Sequence, residues 1–244
     1  MSEKTKKNLG VAVKEKFGKI KKFFKENTIS ALTAVFLGIA TLLVAWAGWI
    51  GALHDGNQAS NYTRSNNLAA EGNAEYNVGA QVYISDLFTW NTILGLQVDL
   101  DAARGRGDGV EAAAIETKIE KIKQGNCSPR LVEYINKHGM SVSPFDSTEY
   151  VDGYFTEAKK LLDESQAAKA DGEQDNLWSD SYQLASVLYS LVLFLLGIIG
   201  VLNDYQSRKM LLVFSVIILA LAVLYMLTIP MPRGFDLAEF FNLK

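Results

Sequence analysis

The chain has 244 residues, of which 49% are hydrophobic, and these residues are concentrated in blocks rather than spread as a soluble domain requires. The single cysteine, Cys127, excludes an intramolecular disulfide. The net charge is -3, but positive and negative side chains are concentrated in different parts of the chain. Residues 1–25 carry nine lysines against two glutamates, whereas residues 54–181 carry 21 acidic against 11 basic side chains.

The first predicted element is a basic amphipathic helix within residues 1–27. Phe17, Ile20 and Phe24 follow each other at steps of three and four, which places them on one helical face, with Lys16 and Lys21 beside them. We expect these five residues to lie at the membrane surface, with the lysines near anionic headgroups. A lysine run also suits nucleic acid, but the apolar stripe favours the membrane, so no nucleic-acid partner is predicted.

Three apolar blocks follow, at residues 28–53, 184–202 and 210–229, and none contains Asp, Glu, Lys, Arg or His. About 20 such residues are needed to cross a hydrocarbon layer of about 30 Å, so each block predicts a transmembrane helix. Ala45-Trp46-Ala47 resembles a signal-peptide cleavage site, but the apolar stretch before it is long for a signal peptide, which favours a retained anchor.

The charges predict the orientation of this multi-pass protein in the cell membrane. Basic residues concentrate on the cytoplasmic side, so the amino terminus and the link 203–209, which ends in Arg208 and Lys209, are predicted to be cytoplasmic. The acidic segment 54–181 and the tail 230–244 are then extracytoplasmic.

The first span is predicted to continue as one helix to about Arg104, because no strong turn signal precedes residues 103–109. A seven-residue repeat runs along it, which keeps one seam facing a partner helix. The predicted oligomer seam consists of Tyr62, Asn66, Ala69, Asn73, Tyr76, Ala80, Tyr83, Leu87 and Trp90. The same repeat also suits a contact with the returning arm of the same chain, and a solvated polar helix or a linker is the further alternative.

Shorter helices are predicted beyond the turn. Ser128 and Pro129 begin one of them, and Asp146 with Glu149 resembles a capping box for the next. That helix passes through Tyr150 and Tyr154 and returns towards the membrane, with an interruption predicted at residues 170–172. The predicted fold class is an all-α membrane protein with three transmembrane helices and an extracytoplasmic helical hairpin that resembles a coiled coil.

Candidate chemical groups are few. His54 and His138 lie far apart outside any metal-binding spacing, and His54 is expected to act as a polar cap of its helix. Cys127 has no basic partner in the adjacent sequence. The helical carboxylate pairs are Glu71 with Glu75 and Glu116 with Glu120, which are weak cation-site candidates. No catalytic residue, metal site or cofactor is predicted, and the chain is expected not to be an enzyme.

Two asparagines lie in glycosylation acceptor patterns. These are Asn61 in Asn-Tyr-Thr and Asn126 in Asn-Cys-Ser. The pattern has a consequence only where the host has the modifying machinery outside the membrane.

Two functions remain open from the sequence. The first is a self-assembling membrane protein whose outer helical domain acts as a scaffold or binds an extracytoplasmic partner. The second is a homo-oligomeric ion channel, with the first span lining a pore below a vestibule of Asn66, Asn73 and Asn77. A membrane enzyme is a third possibility only in so far as outer carboxylates bind a metal.

The order of features resembles a group of uncharacterised prokaryotic membrane proteins with three spans. The resemblance is carried by SNNLAAEGNAEYN at 65–77, SPFDSTEY at 143–150 and DSYQLASVLYSLVLFLLGIIG at 180–200. In that group one span is followed by a helix rich in asparagine and alanine, an acidic segment and a closely spaced pair of spans. The resemblance implies a topology and no activity, cofactor or site residue.

Overall fold

A computed structural model describes residues 28–235 of the chain. The predicted amphipathic helix, with Lys16, Phe17, Ile20, Lys21 and Phe24, and the last nine residues lie outside this range. All regular elements between residues 28 and 235 are helical. They are α1 (Thr28–Gly105), α2 (Gly109–Asn126), α3 (Pro129–His138), a 3-10 turn (Pro144–Asp146), α4 (Thr148–Asp152), α5 (Thr156–Ile199) and α6 (Tyr205–Met226).

Three of these helices, α1, α5 and α6, are long and apolar enough to cross a membrane. The all-helical class and the three candidate spans are thereby confirmed. The prediction of one unbroken helix from the first span to about Arg104 is also confirmed, since α1 ends at Gly105. In α6 the last turn ends at Met226, four residues before Pro230, which lacks the N–H that a helix interior requires.

The chain divides into two compact units with borders at 61/62 and 170/171. The described part of the first unit comprises residues 28–61 and 171–235. Its core contains small residues of α1, such as Ala40 and Ala47, together with Tyr182 and Tyr189 of α5 and Leu219 of α6. Small residues bring the helix backbones close together, which is the usual means of packing helices in a membrane. Tyr189 donates its buried hydroxyl to the Ala222 carbonyl at 3.3 Å.

The second unit comprises residues 62–170. Within it α1 runs antiparallel to the beginning of α5. The hydroxyls of Ser65 and Ser165 lie 3.1 Å apart. Farther along α1, the Tyr154 carbonyl occupies the space that a side chain at Gly79 would need. The end of the second unit where α1 meets α2 and α3 contains an apolar cluster, called the far cluster below, to which all three helices contribute. It contains Trp90, Ile93, Leu100, Ala103, Ala112, Ile119, Leu131 and Ile135.

The return arm is the stretch from residue 146 to the second predicted span. Three local predictions for it were wrong. The cap of α4 is Ser147, whose hydroxyl accepts from the Tyr150 N–H, because Asp146 belongs to the preceding 3-10 turn that begins at Pro144. The helix that was expected to pass through Tyr150 and Tyr154 is broken after Asp152 and resumes at Thr156 as α5. In contrast, α5 continues through Gly172, which is buried, so that packing offsets the roughly 1 kcal/mol that a helical glycine costs.

Candidate functional site

The first candidate site is a buried histidine and carboxylate pair in the first unit. His54 lies within α1 on the stripe that also buries Ala47 and Ile50, and Asp175 lies on the buried stripe of α5 beside Gly172 and Ser179. Both stripes advance in steps of three and four residues, which keeps their members on one helical face. The two side chains therefore meet where α1 and α5 pack, and both are fully buried.

Every polar atom of the pair has a partner. His54 Nδ1 lies 3.0 Å from Asp175 Oδ1, and His54 Nε2 lies 3.2 Å from the Pro230 carbonyl oxygen. The Asn61 side-chain amide donates to Asp175 Oδ2 at 3.2 Å. The expectation that His54 caps a helix was wrong, because its imidazole joins α1 to α5 and to the chain beyond α6.

These partners define the protons of the site. A backbone carbonyl can only accept, so Nε2 of His54 must carry a hydrogen. A second proton then lies between Nδ1 and the Asp175 carboxyl group, and an ionised Asp175 requires a doubly protonated, positively charged imidazole. With both ring nitrogens engaged, His54 offers no free lone pair to bind a metal or to accept a proton from a substrate.

Aromatic rings and an ion pair between Arg233 and Asp171 enclose this site. The His54 ring stacks on Tyr182 with centroids 5.8 Å apart and lies 5.4 Å from Trp178. After α6, Arg233 donates to Asp171 at 2.7 Å, and this hydrogen bond raises the pKa of Arg233. Before Pro230, Tyr182 of α5 donates its hydroxyl to the Ile229 carbonyl at 3.4 Å. The segment after α6 is thus held to α5 on both sides of Pro230.

The second candidate site surrounds Asp86 in the second unit. Asp86 is buried, and it accepts three hydrogen bonds: from the Ser128 backbone N–H at 2.8 Å, from the Ser128 hydroxyl, and from the Tyr154 hydroxyl at 2.7 Å. Because Ser128 is also the N-cap of α3, this single carboxylate fixes the start of α3 and the start of the return arm on α1.

Arg130 and two tyrosines complete this cluster. The guanidinium lies 4.6 Å from the centre of the Tyr150 ring and 5.5 Å from that of Tyr154, and it donates to the Tyr150 carbonyl at 2.8 Å. It also occupies the space that a side chain at Gly153 would need. Burial, together with the hydrogen bonds to Tyr150 and Asp86, raises the pKa of Tyr154. The Tyr154 phenol is therefore protonated at neutral pH and serves as a donor.

Cys127 lies beside this cluster and lines an open groove of about 930 Å³ between α2 and α3. Burial of the thiol and the nearby Asp86 raise the pKa of Cys127 to about 11, against the opposing effect of Lys123. The thiolate is the nucleophilic form of cysteine, and it is scarce at neutral pH at this position.

The predicted seam residues occupy both buried and exposed places in the second unit. Trp90 is buried, and it makes edge contacts with Tyr134 and Phe145. Tyr62, Ala69, Ala80, Tyr83 and Leu87 are half-buried, whereas Asn66, Asn73 and Tyr76 are exposed. The residues of α1 that face the return arm and the far cluster keep the seven-residue period in a different register. They are Ser65, Gly72, Gly79, Asp86, Ile93 and Leu100.

The remaining candidates are surface groups. The residues predicted to line a vestibule, Asn66, Asn73 and Asn77, are all exposed on α1. Of the carboxylate pairs, Glu71 and Glu75 are exposed, Glu116 pairs with Arg104, and Glu120 pairs with Lys123 at 2.9 Å. Across residues 28–235 no group of three His, Cys, Asp or Glu side chains is placed to hold a metal ion.

The two glycosylation candidates differ in access. Asn126 is exposed at the end of α2, whereas the amide of Asn61 is engaged with Asp175. A glycan on Asn61 would remove that hydrogen bond.

Sequence reasoning missed Asp86, Asp175, Tyr154 and Arg130. A signal was present for the two aspartates, because each is a charged residue on an otherwise uncharged stripe with steps of three and four residues. No comparable signal marks Tyr154 and Arg130, since their partners are distant in sequence.

The geometry defines a helical protein with three candidate membrane spans and two closed internal polar clusters. Comparison of the chain with known protein families, with curated proteins and with solved structures finds no match.

Proposed function

We propose that this protein is a non-catalytic membrane protein that self-assembles through α1 and holds the second unit outside the membrane as a scaffold or a partner-binding module. The observation that carries the proposal is the surface of α1 in the second unit. Ile84, Phe88 and Val98 are exposed there by 49%, 68% and 64%. Ile84 and Phe88 are four residues apart and therefore adjacent on one helical face, and Val98 lies farther along α1. Large exposed apolar side chains that lie side by side are typical of a contact surface.

The internal clusters support a rigid presentation of that surface. Asp86, Ser128 and Tyr154 join α1, α3 and the return arm through hydrogen bonds of a buried carboxylate. Because both oxygens of Asp86 and both ring nitrogens of His54 are engaged within the chain, these groups serve packing better than catalysis. The segregation of lysines at the amino terminus and acidic residues in 54–181 supports an extracytoplasmic second unit.

The mass of the full-length protein in lipid nanodiscs tests self-assembly. Native mass spectrometry is expected to give a mass of two or more times the 26.9 kDa chain. A monomer at every protein concentration would contradict the proposal, because the apolar surface of α1 would then have no second copy on it.

A homo-oligomeric ion channel is the second candidate, and the exposure of Asn66, Asn73 and Asn77 favours it, since neutral amides on the outside of α1 are available to line a vestibule. Purified protein in planar bilayers should then conduct, and Asn73→Asp should increase the preference for cations relative to Asn73→Lys. Absence of conductance from an oligomer of proven mass would leave assembly without a channel.

A further inference from the structure

The outward side of α1 in the second unit carries a second seven-residue seam. The seam that packs inside the chain begins at Ser65 and repeats every seven residues. The positions two and five residues after each of its members lie on the opposite side of the helix. These positions are Asn67, Ala70, Ala74, Asn77, Gln81, Ile84, Phe88, Asn91, Gly95 and Val98, and all ten are exposed. We call them the outer seam.

The outer seam is free of charge in an acidic part of the protein. Residues 62–98 contain only four charged side chains, at Arg64, Glu71, Glu75 and Asp86, and none of them belongs to the seam. Copies of the acidic segment 54–181 repel one another wherever their carboxylates face each other. The outer seam is a fully exposed side of α1 on which two copies can approach without such repulsion, whereas most residues of the predicted Tyr62 seam are half-buried or buried.

The spacing of the seam also fits a helix partner. Its steps alternate between three and four residues over more than four heptads, which is the spacing of the core positions of a coiled coil. Ile84, Phe88 and Val98 supply apolar contact at one end. Asn67, Asn77 and Asn91 are polar core positions, which cost stability but specify the alignment of the strands.

The membrane-spanning part of α1 independently shows the same preference for a close neighbour. In the first unit small residues recur at steps of four and three on an exposed side of α1. They are Ala34, Gly38, Thr41, Ala45, Gly48 and Ala52. Within residues 28–235, a side chain at Gly38 or Gly48 would meet no atom of another element within 4 Å. Small exposed residues at this spacing permit close contact between spans.

From these observations we infer that the occupant of the outer seam is the same seam of a second copy of this chain, parallel and in register. The inference rests on the proposed self-assembly and names its contact. Copies with the same membrane orientation bring identical α1 positions to the same distance from the membrane. Each seam residue then faces its own counterpart, so that Asn77 meets Asn77 and Phe88 meets Phe88.

Disulfide trapping in proteoliposomes tests the register. In a full-length Cys127→Ser background, Ala74→Cys and Ile84→Cys place a thiol on the outer seam, and Glu75→Cys places one on an adjacent exposed position off the seam. Equivalent core positions of a parallel pair come close enough for a disulfide, which needs Cα atoms about 4.4–6.8 Å apart. With copper phenanthroline as oxidant, both seam variants are expected to form dimers at several times the yield of Glu75→Cys. Equal yields would overturn the inference.

A charge on the seam tests its contribution to assembly. Phe88→Lys adds a charge to the outer seam, and Val110→Lys is the matched control, since Val110 is 84% exposed on α2 and lies off the seam. Native mass spectrometry in nanodiscs is expected to show loss of the oligomer for Phe88→Lys only. A wild-type monomer would refute self-assembly and the seam together. A wild-type oligomer that survives Phe88→Lys, with equal trapping at all three cysteines, would refute the seam alone.

Discussion

Breaking the His54–Asp175 pair should strongly destabilise the first unit. In His54→Leu the imidazole is replaced by an apolar side chain, so Asp175 remains fully buried with the Asn61 amide as its remaining donor. Removing the hydrogen-bond partner of a buried polar group costs about 1–3 kcal/mol, and the cost rises to about 3–5 kcal/mol where the remaining group is charged. At 1.4 kcal/mol per factor of ten, this corresponds to a decrease of roughly one to three and a half powers of ten in the folding equilibrium constant.

The control and the double variant isolate the pair. Asp180→Asn removes an exposed carboxylate from the same helix, and we expect it to change stability by no more than about 0.5 kcal/mol. In His54→Leu/Asp175→Leu neither member of the pair remains buried without the other, so the double variant should cost clearly less than the two single changes together.

The assay is unfolding of the full chain in mixed micelles with an increasing fraction of SDS, followed by circular dichroism and by tryptophan fluorescence. Trp178, whose ring lies 5.4 Å from that of His54, makes the fluorescence sensitive to this site. A cost below about 1 kcal/mol for His54→Leu, or strictly additive single effects, would refute the assignment of a buried and coupled hydrogen-bonded pair.

Further predictions concern the second unit. Gly79→Ala should destabilise it by about 1–3 kcal/mol, because the new methyl group would overlap the Tyr154 carbonyl. Gly125→Ala, whose methyl group would meet open space in a helix, should stabilise it by up to about 1 kcal/mol. Both effects are measured by hydrogen exchange across residues 62–170, and faster exchange in Gly125→Ala would contradict the reasoning. Tyr154→Phe removes a donor from buried Asp86 and should cost about 1–3 kcal/mol in the same exchange measurement; unchanged exchange would show that the phenol contributes nothing. At pH 8 the thiolate fraction of Cys127 should be about 100-fold lower than that of a thiol of pKa 9.0. Its alkylation by iodoacetamide should therefore be slower, by less than this factor because a more basic thiolate is more nucleophilic, and should rise with pH up to about 11; a plateau near pH 9 would exclude the raised pKa.

The helices of this protein follow largely from local sequence. Apolar blocks such as 184–202 demand a helix in any hydrocarbon layer, because every backbone polar group must be satisfied within the segment. The absence of proline and of strong turn signals between Thr28 and Arg104 allowed the full length of α1 to be predicted, since tertiary packing offsets the cost of its glycines.

The packed face of α1 did not follow from the sequence. The seven-residue repeat was predicted, because it can be recognised in the sequence of a single helix. Which of the positions in each repeat are buried depends on the side chains and backbone of the helix that packs against α1. The heptads that begin at Tyr62 and at Ser65 are equally regular. The Tyr154 carbonyl decides between them, because it occupies the place of a side chain at Gly79 and so requires a glycine there.

The helical class, the three candidate spans and the segregation of charge follow from composition and from residues within a few turns of one another, so they can be predicted without tertiary packing. Which polar residues are buried together depends on how distant helices pack. His54 and Asp175 are 121 positions apart, and Asp86 and Tyr154 are 68 apart. Neither pair has a local signature, because each exists only where α1 packs against a later part of the chain and excludes water from both side chains.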